Sequence, residues 1–260
     1  MTTPPAPETV EVDFITPRHL AGGGDPAWIT VPLHRACGWS YGDDPLMPRV
    51  LLSSPDQKAL LRLEPAPDAQ WWTVHHIAEP GRPDWYASFG AQTPVELIAA
   101  FTDALTDPAP GADAPWDPCG ALRHADWSPY GVNGFASPDE TTYVERLGTP
   151  ADPGAWFITV SLAMDQKVWQ ARFGAHTPPY LVAAFTAALA APQPVHRTDS
   201  GRSLPTLDPD VITRKTTSVR AVYIAGALED RIRSLAARHP PTPPAPVPPR
   251  QAPPTPGRTR

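Results

Sequence analysis

Apolar positions along the chain follow two periods, and the pair of periods occurs twice. Trp71-Trp72-Thr73-Val74 and Trp85-Tyr86-Ala87-Ser88-Phe89 are rich in aromatic and β-branched residues that suit a pleated surface. So are Trp156-Phe157-Ile158-Thr159-Val160 and Trp169-Gln170-Ala171-Arg172-Phe173. After Phe89 and after Phe173 the spacing becomes helical: Leu97, Phe101, Ala104 and Leu105 share one face, as do Leu181, Phe185, Ala188 and Leu189. Thr93-Pro94 and Thr177-Pro178 predict the helix starts, with Thr as N-cap and Pro at the first helical position. Glu96 would complete a capping box in the first helix, where Tyr180 stands in the second. Asp107-Pro108 and Ala191-Pro192 predict the stops.

Direct comparison shows that this is a duplication. At a constant shift of 84 residues, 15 of the 24 positions from Trp85 to Pro108 are identical to those from Trp169 to Pro192. Upstream, Ser54-Pro55-Asp56-Gln57 answers Ser137-Pro138-Asp139-Glu140, and Trp39-Ser40 answers Trp127-Ser128. Asp25 and Trp28 answer Asp113 and Trp116. The copies therefore occupy modules spanning 13–110 and 113–195, and the first carries an insertion of five residues around Gly42-Asp43-Asp44-Pro45. Each Ser-Pro-Asp suits a tight turn, because proline pre-sets φ and the Ser and Asp side chains cap backbone donors. The flanks 49–52 and 59–63 predict the arms of a hairpin.

The expected fold is α+β: a tandem repeat of two antiparallel β-meander modules of three to four strands, each followed by one α-helix, packed as a pseudo-dimer. One helix covers only one face of a small sheet, so the sister module is expected to cover the other. Residues 196–217 are expected to be a linker, with Asp208-Pro209-Asp210 as a turn. Thr217-Ser218 would cap an amphipathic helix over 218–239, with Ile224, Leu228, Ile232 and Leu235 as its stripe. That helix either docks on its own body or forms a homodimer or partner contact. Residues 240–260 hold ten prolines, three arginines and no acid, and are expected to be a disordered, extended tether. Residues 1–12 are expected to be disordered too, and lack the features of a signal peptide.

Composition narrows the function classes. With 38 prolines, about three times the usual ~5% share, long helices are excluded over most of the chain. The net charge of −6 is unevenly divided. Residues 1–200 hold 11 Lys/Arg and 23 Asp/Glu, a net of −12; residues 201–260 hold 10 and 4, a net of +6. An acidic body repels phosphate backbones, so nucleic acid is admitted only through residues 214–260. Two cysteines make no disulfide framework, and no apolar run approaches the ~20 residues of a membrane span. The expected location is the cytoplasm, with no membrane association.

The 20–26 opening Leu-Ala-Gly-Gly-Gly-Asp-Pro, the Gly38-Trp39 step, the paired Ser-Pro-Asp turns and the paired Trp-x-Ala-x-Phe…Thr-Pro segments resemble an actinobacterial family. It is domain of unknown function 317, also called the SPDY domain after its turn motif. The resemblance covers about residues 13–195 in the family's usual two-copy form. The fourth motif position is Gln57 or Glu140 here rather than tyrosine. The resemblance implies no activity, substrate, cofactor or catalytic residue.

Candidate chemistry is sparse. There is no P-loop, Gly-x-Gly-x-x-Gly, Gly-x-Ser-x-Gly or His-Glu-x-x-His. Gly22-Gly23-Gly24 presents backbone amides suited to an anion, or serves as a flexible entry into the first strand. Asp43 and Asp44, with Asp56, suit a hard cation or simply form a solvated loop. His34, Cys37, Cys119 and His124 are the set with zinc-ligand types, but the two halves sit at different places in their modules, and no bound zinc is expected. His75-His76 lies in a strand and points to opposite faces. The expected function is that of a non-catalytic protein-binding or scaffolding protein, using a groove between modules or a sheet edge. The alternatives are an enzyme with its site near the first-copy insertion, and a nucleic-acid accessory protein acting through its basic C-terminal region.

Overall fold

Both Ser-Pro-Asp segments close a hairpin in the same way. Ser54 Oγ donates to Asp56 Oδ1 and accepts the amides of Lys58 and Ala59, while the Gln57 amide bonds the Ser54 carbonyl at 2.9 Å. Ser137 Oγ donates to Asp139 Oδ1 and accepts the Thr142 amide, and the Glu140 amide bonds the Ser137 carbonyl. The fourth residue is left-handed in each turn, with φ of 60° at Gln57 and 56° at Glu140. This is how a proline-led turn can reverse the chain into an adjacent strand. The computed structural model that shows this describes residues 8–42, 49–65, 70–107, 116–149 and 154–239.

In chain order, β1 (Thr9–Thr16) leads through a short 3-10 turn (Arg18–Leu20) to α1 (Ala27–Arg35). The first copy continues with β2 (Ser40–Tyr41), β3 (Val50–Ser53), β4 (Ala59–Leu63), β5 (Gln70–His76), β6 (Trp85–Gly90) and α2 (Val95–Leu105). The second has α3 (Gly120–His124), β7 (Ser128–Tyr130), β8 (Gly134–Ala136), β9 (Thr142–Leu147), β10 (Ala155–Ala163), β11 (Gln166–Phe173) and α4 (Pro179–Ala190). Then come β12 (Val195–Arg197), β13 (Thr213–Arg220) and α5 (Ala221–Arg238).

The modules differ from expectation in three ways. Each has five strands rather than three or four, and each begins with a helix. The segment after Gly22-Gly23-Gly24 enters α1, not a strand, although Pro32 lies inside that helix. The copies also do not stack face to face. All their strands form one ten-stranded antiparallel sheet, in the order β2-β3-β4-β5-β6-β11-β10-β9-β8-β7. The join is the β6–β11 ladder, which pairs Phe89 with Ala171, Ser88 with Arg172 and Ala87 with Phe173. Beside it the Tyr86 carbonyl accepts the Gly174 amide and the Thr177 hydroxyl, and the Gln70 side-chain amide reaches the Gln170 carbonyl.

Every helix lies on one side of this sheet. Leu97, Ile98 and Phe101 of α2, and Leu181, Val182 and Phe185 of α4, are fully buried on it together with Ile29 and Leu33 of α1. Phe89, Phe101, Phe173 and Phe185 meet beneath the join, with ring centroids 5.3 to 5.7 Å apart. Trp85 and Trp169 are buried in matching places, and Leu189 is buried where Leu105 is only half covered. The predicted Thr caps do not form. Pro94 and Pro178 hold the cap positions, Thr177 bonds Tyr86 instead, and Glu96 is taken by Arg197.

The ends of the chain also depart from expectation. Residues 9–12 belong to β1, which pairs with β13 over eight positions and with β12 over three. The expected linker thus supplies two strands of a second sheet, ordered β12-β1-β13. Thr217 and Ser218 lie in β13, so the last helix starts at Ala221 and not at 218. It docks on its own body: Ile232 and Leu235 are buried, and Arg231 lies over the Trp28 ring and pairs both Asp103 oxygens at 2.7 and 3.0 Å. The tail 240–260 falls outside the described residues. No helix among the described residues is long and apolar enough to cross a membrane.

Because the four phenylalanines form one cluster drawn from both copies, Phe101→Ala and Phe185→Ala should each cost about 3–5 kcal/mol, a large part of a ~5–15 kcal/mol total. Calorimetry should show each variant lowering one shared melting transition. Two separate transitions would mean that the copies fold independently.

Candidate functional site

The glycine run is a packing device. Arg197 of β12 is nearly buried and donates to the carbonyls of Ala21 and Gly22 while pairing Glu96 of α2 at 2.7 and 3.0 Å. The Gly23 carbonyl accepts the Val95 amide at the start of α2. A Cβ at Gly23 would lie 2.6 Å from the Ala91 carbonyl oxygen, and one at Gly22 2.3 Å from that of Ser203. Only glycine lets these backbones approach. The second copy has Gly111 alone at the matching place in sequence, and Arg197 makes its bonds to the first copy.

A second buried polar cluster ties the N-terminal segment to the second copy. The His19 ring Nε2 lies 3.1 Å from Asp139 Oδ2 and 2.8 Å from Thr141 Oγ1, and the His19 carbonyl accepts the Trp169 indole N–H at 2.8 Å. Burial would raise the Asp139 carboxyl, but the bond and charge of His19, the Ser137 hydroxyl and the Thr141 amide outweigh it and hold the group well below the usual carboxylate range. Ser137, Asp139 and His19 resemble a hydrolytic triad in composition only. The carboxylate stands between serine and histidine, so the imidazole is not placed to take the hydroxyl proton. Asp56 in the first copy has the serine contact and no histidine partner among its bonds.

The cysteine and histidine candidates are not brought together. Cys37 is half-buried near Thr106 and Asp103, while Cys119 is buried beside Asp117 and Arg123 in the other copy. Burial pushes both thiols up, opposite to an activated nucleophile. His34 bonds the Trp39 carbonyl and His124 the Gly120 carbonyl. Among the described residues no three His, Cys, Asp or Glu side chains gather as a metal site. Asp43 and Asp44 lie outside the described residues. His75 and His76 point to opposite faces as expected, His75 toward Tyr86 and His76 stacked on Trp85.

Two features escaped sequence reasoning. The first is a pair of clefts at matching places in the two copies. One, of about 460 Å³, lies beside Trp72 and is lined by Val50, Leu63, Pro65 and Val95 with Arg49. The other, of about 650 Å³, lies beside Trp156, the residue 84 positions on, and is lined by Arg123, Arg146, Asn133 and Phe135. The second feature is the sheet face away from the helices. Strand register places Leu60, Arg62, Thr73, His75, Tyr86, Ser88, Gln170, Arg172, Phe157, Thr159, Tyr143 and Glu145 on that side. Tyr86 is 43% exposed and Leu60 39%. A signal for the clefts exists in the sequence, since Leu63 and Arg146 occupy matched positions 83 residues apart, but it shows only once the hairpins are aligned.

A duplicated five-stranded module with a helix before and after it defines the molecule's architecture. The family model for SPDY, a domain of unknown function (DUF317), matches residues 53–111 and again residues 136–195. The chain therefore carries two copies of this domain. No curated protein and no solved structure matches the chain.

A depressed carboxylate contributes stability that is present above its unfolded pKa of about 3.9 and is lost as pH falls toward its folded value. Asp139→Asn should therefore destabilise the protein by about 1–3 kcal/mol near pH 7 and flatten its stability profile below about pH 4. Asp56→Asn, without a histidine partner, should cost less. Urea melts of both variants across pH 3–7 check this.

Proposed function

We propose that the protein is a non-catalytic binding or scaffolding protein whose two copies act as one unit, and that the uncovered sheet face receives a protein partner. The observation behind this is one-sidedness. The helices and the buried core lie on one side of a ten-stranded sheet, which leaves the opposite side without a layer among the described residues. An ordinary solvated sheet face is rich in charged residues. This one carries Tyr86, Tyr143, Phe157, Arg62 and Arg172, the aromatic and arginine character of protein interfaces, with Glu145 and, 3.7 Å from Arg62, Glu64 among its acids. Its arginines stand among acids, a mixture that fits a partner with an apolar centre and a polar rim of both charges.

The other sites expected from sequence receive less support. The β6–β11 ladder occupies the place of a groove between copies. The basic C-terminal region spends Arg214 on Asp13, and Arg231 and Arg238 on Asp103, which leaves less charge for a polyanion.

Capture from the native host should recover a partner whose affinity for the purified chain falls at least about tenfold in Tyr86→Ala/Arg172→Ala, with little change in melting temperature. Hydrogen exchange should show protection by that partner in β6 and β11. Undiminished binding by the double variant, with loss on removal of residues 201–260, would move the site to the C-terminal region. Turnover in a substrate screen would replace the reading with an enzymatic one.

A further inference from the structure

Among the described residues the two sheets end in four strands: β2 and β7 in the large one, β12 and β13 in the small one. Three of these edges carry devices that keep other strands away. β2 has two residues, β7 has three with Pro129 at its centre, and β12 has three with Pro194 before it. The fourth does not. β13 runs for eight residues, Thr213–Arg220, without proline and in unbroken register with β1. Thr213, Thr216, Thr217 and Val219 give it β-branched side chains that suit a strand, and every residue of it but Val219 is exposed.

The register fixes which backbone groups of β13 are spare. Just past the strand, the Ala221 amide bonds the Glu8 carbonyl at 3.0 Å, which continues the same ladder by one pair. Bonded and non-bonded pairs alternate along an antiparallel ladder. The bonded pairs of β13 are therefore those of residues 213, 215, 217 and 219. The amides of Arg214, Thr216, Ser218 and Arg220 point away from β1, and among the described residues nothing else accepts them. A row of four outward amides is what an added strand uses.

Charge decides which strand fits. β13 carries Arg214, Lys215 and Arg220 and no acid. Asp13 takes Arg214 at 2.9 Å, while Lys215 and Arg220 have no ion pair among the described residues. A second copy laid against this edge would bring two sets of three bases together with no acid between them, so the strand repels its own kind. The chain's own 240–260 segment is basic and proline-rich and fits no better. We infer that the β13 edge takes an extended, acidic segment of a partner protein by strand addition. The segment's backbone meets the four outward amides, and its carboxylates meet Lys215 and Arg220. This edge belongs to the small sheet, so it stands or falls independently of the face of the ten-stranded one.

The test adds to the full chain an end-capped octapeptide of Glu, Thr and Val, with a second peptide carrying Lys for Glu as its control, and follows backbone amide exchange by NMR. The acidic peptide should slow the amides of Arg214, Thr216, Ser218 and Arg220 saturably, and the basic one should not. Ser218→Pro removes one outward amide and leaves the β1 ladder whole, so it should weaken binding about tenfold at an unchanged melting temperature. If that variant folds poorly, Lys215→Glu/Arg220→Glu, on exposed side chains, should weaken binding as much and admit the basic peptide. Equal binding of both peptides, protection confined to other strands, or unchanged affinity in a folded variant would overturn the inference. So would protection of the four amides in the free chain at rising concentration, which would assign the edge to a second copy. Binding of a DNA duplex in place of the acidic peptide would overturn it too, and assign the charges to nucleic acid.

Discussion

Where β6 meets β11, Phe89 lies opposite Ala171 and Ala87 opposite Phe173, so large and small side chains alternate across the join. The alanines leave room beneath the sheet for Phe101 and Phe185 to come in from the two helices. Much else follows from this fit. It sets the copies edge to edge, it brings α2 and α4 side by side, and it spreads the deepest apolar contacts over both copies. A module of this size alone would bury too little surface to be secure. Here the missing cover is lateral, supplied by continuing the sheet rather than by stacking a second one on it.

Edge joining has a cost that face stacking would not. Among the described residues it puts every helix on the same side and leaves the other face of both copies without a layer. The small β12-β1-β13 sheet and α5 do not relieve this, since they attach on the helical side through His19, Arg197 and Arg231. The three attachments share a pattern. In each a nearly buried basic or ring nitrogen group satisfies carbonyls or carboxylates of a body that is otherwise acidic. The charge asymmetry along the chain is thus in part an internal matter, in which a cationic C-terminal segment is seated on an anionic body.

Much of the repeat's interior was legible from the residues. The strands ending at Phe89 and Phe173 and the helices carrying Phe101 and Phe185 stand where periodicity put them, because those segments bury one face against their own neighbours. The leading helix was not legible, since Pro26 and Pro32 mask the spacing of Ile29 and Leu33. Nor were β12 and β13, whose pairing partner lies about two hundred residues away in the chain. Periodicity shows that a strand has an apolar side, but not which edge it meets, so face stacking and edge joining were indistinguishable. The polar ties escaped for the same reason: Glu96 has good capping chemistry, and only the fold reveals that Arg197 takes it instead.

The β1 strand lies between two strands made far later. Its Val12 and Ile15 are almost wholly buried in the finished molecule, yet the strands it pairs with are residues 195–197 and 213–220, and Ile15 packs against Val195. During synthesis at ~5–20 residues per second, β1 leaves the ribosome roughly 10–40 s before β13 does. Both DUF317 copies can assemble in that interval, while the N-terminal strand stays an open, apolar segment of the nascent chain. The last strand to be translated is therefore the one that closes over the first, and a chain released early would keep its paired modules while exposing a sticky edge to chaperones and proteases.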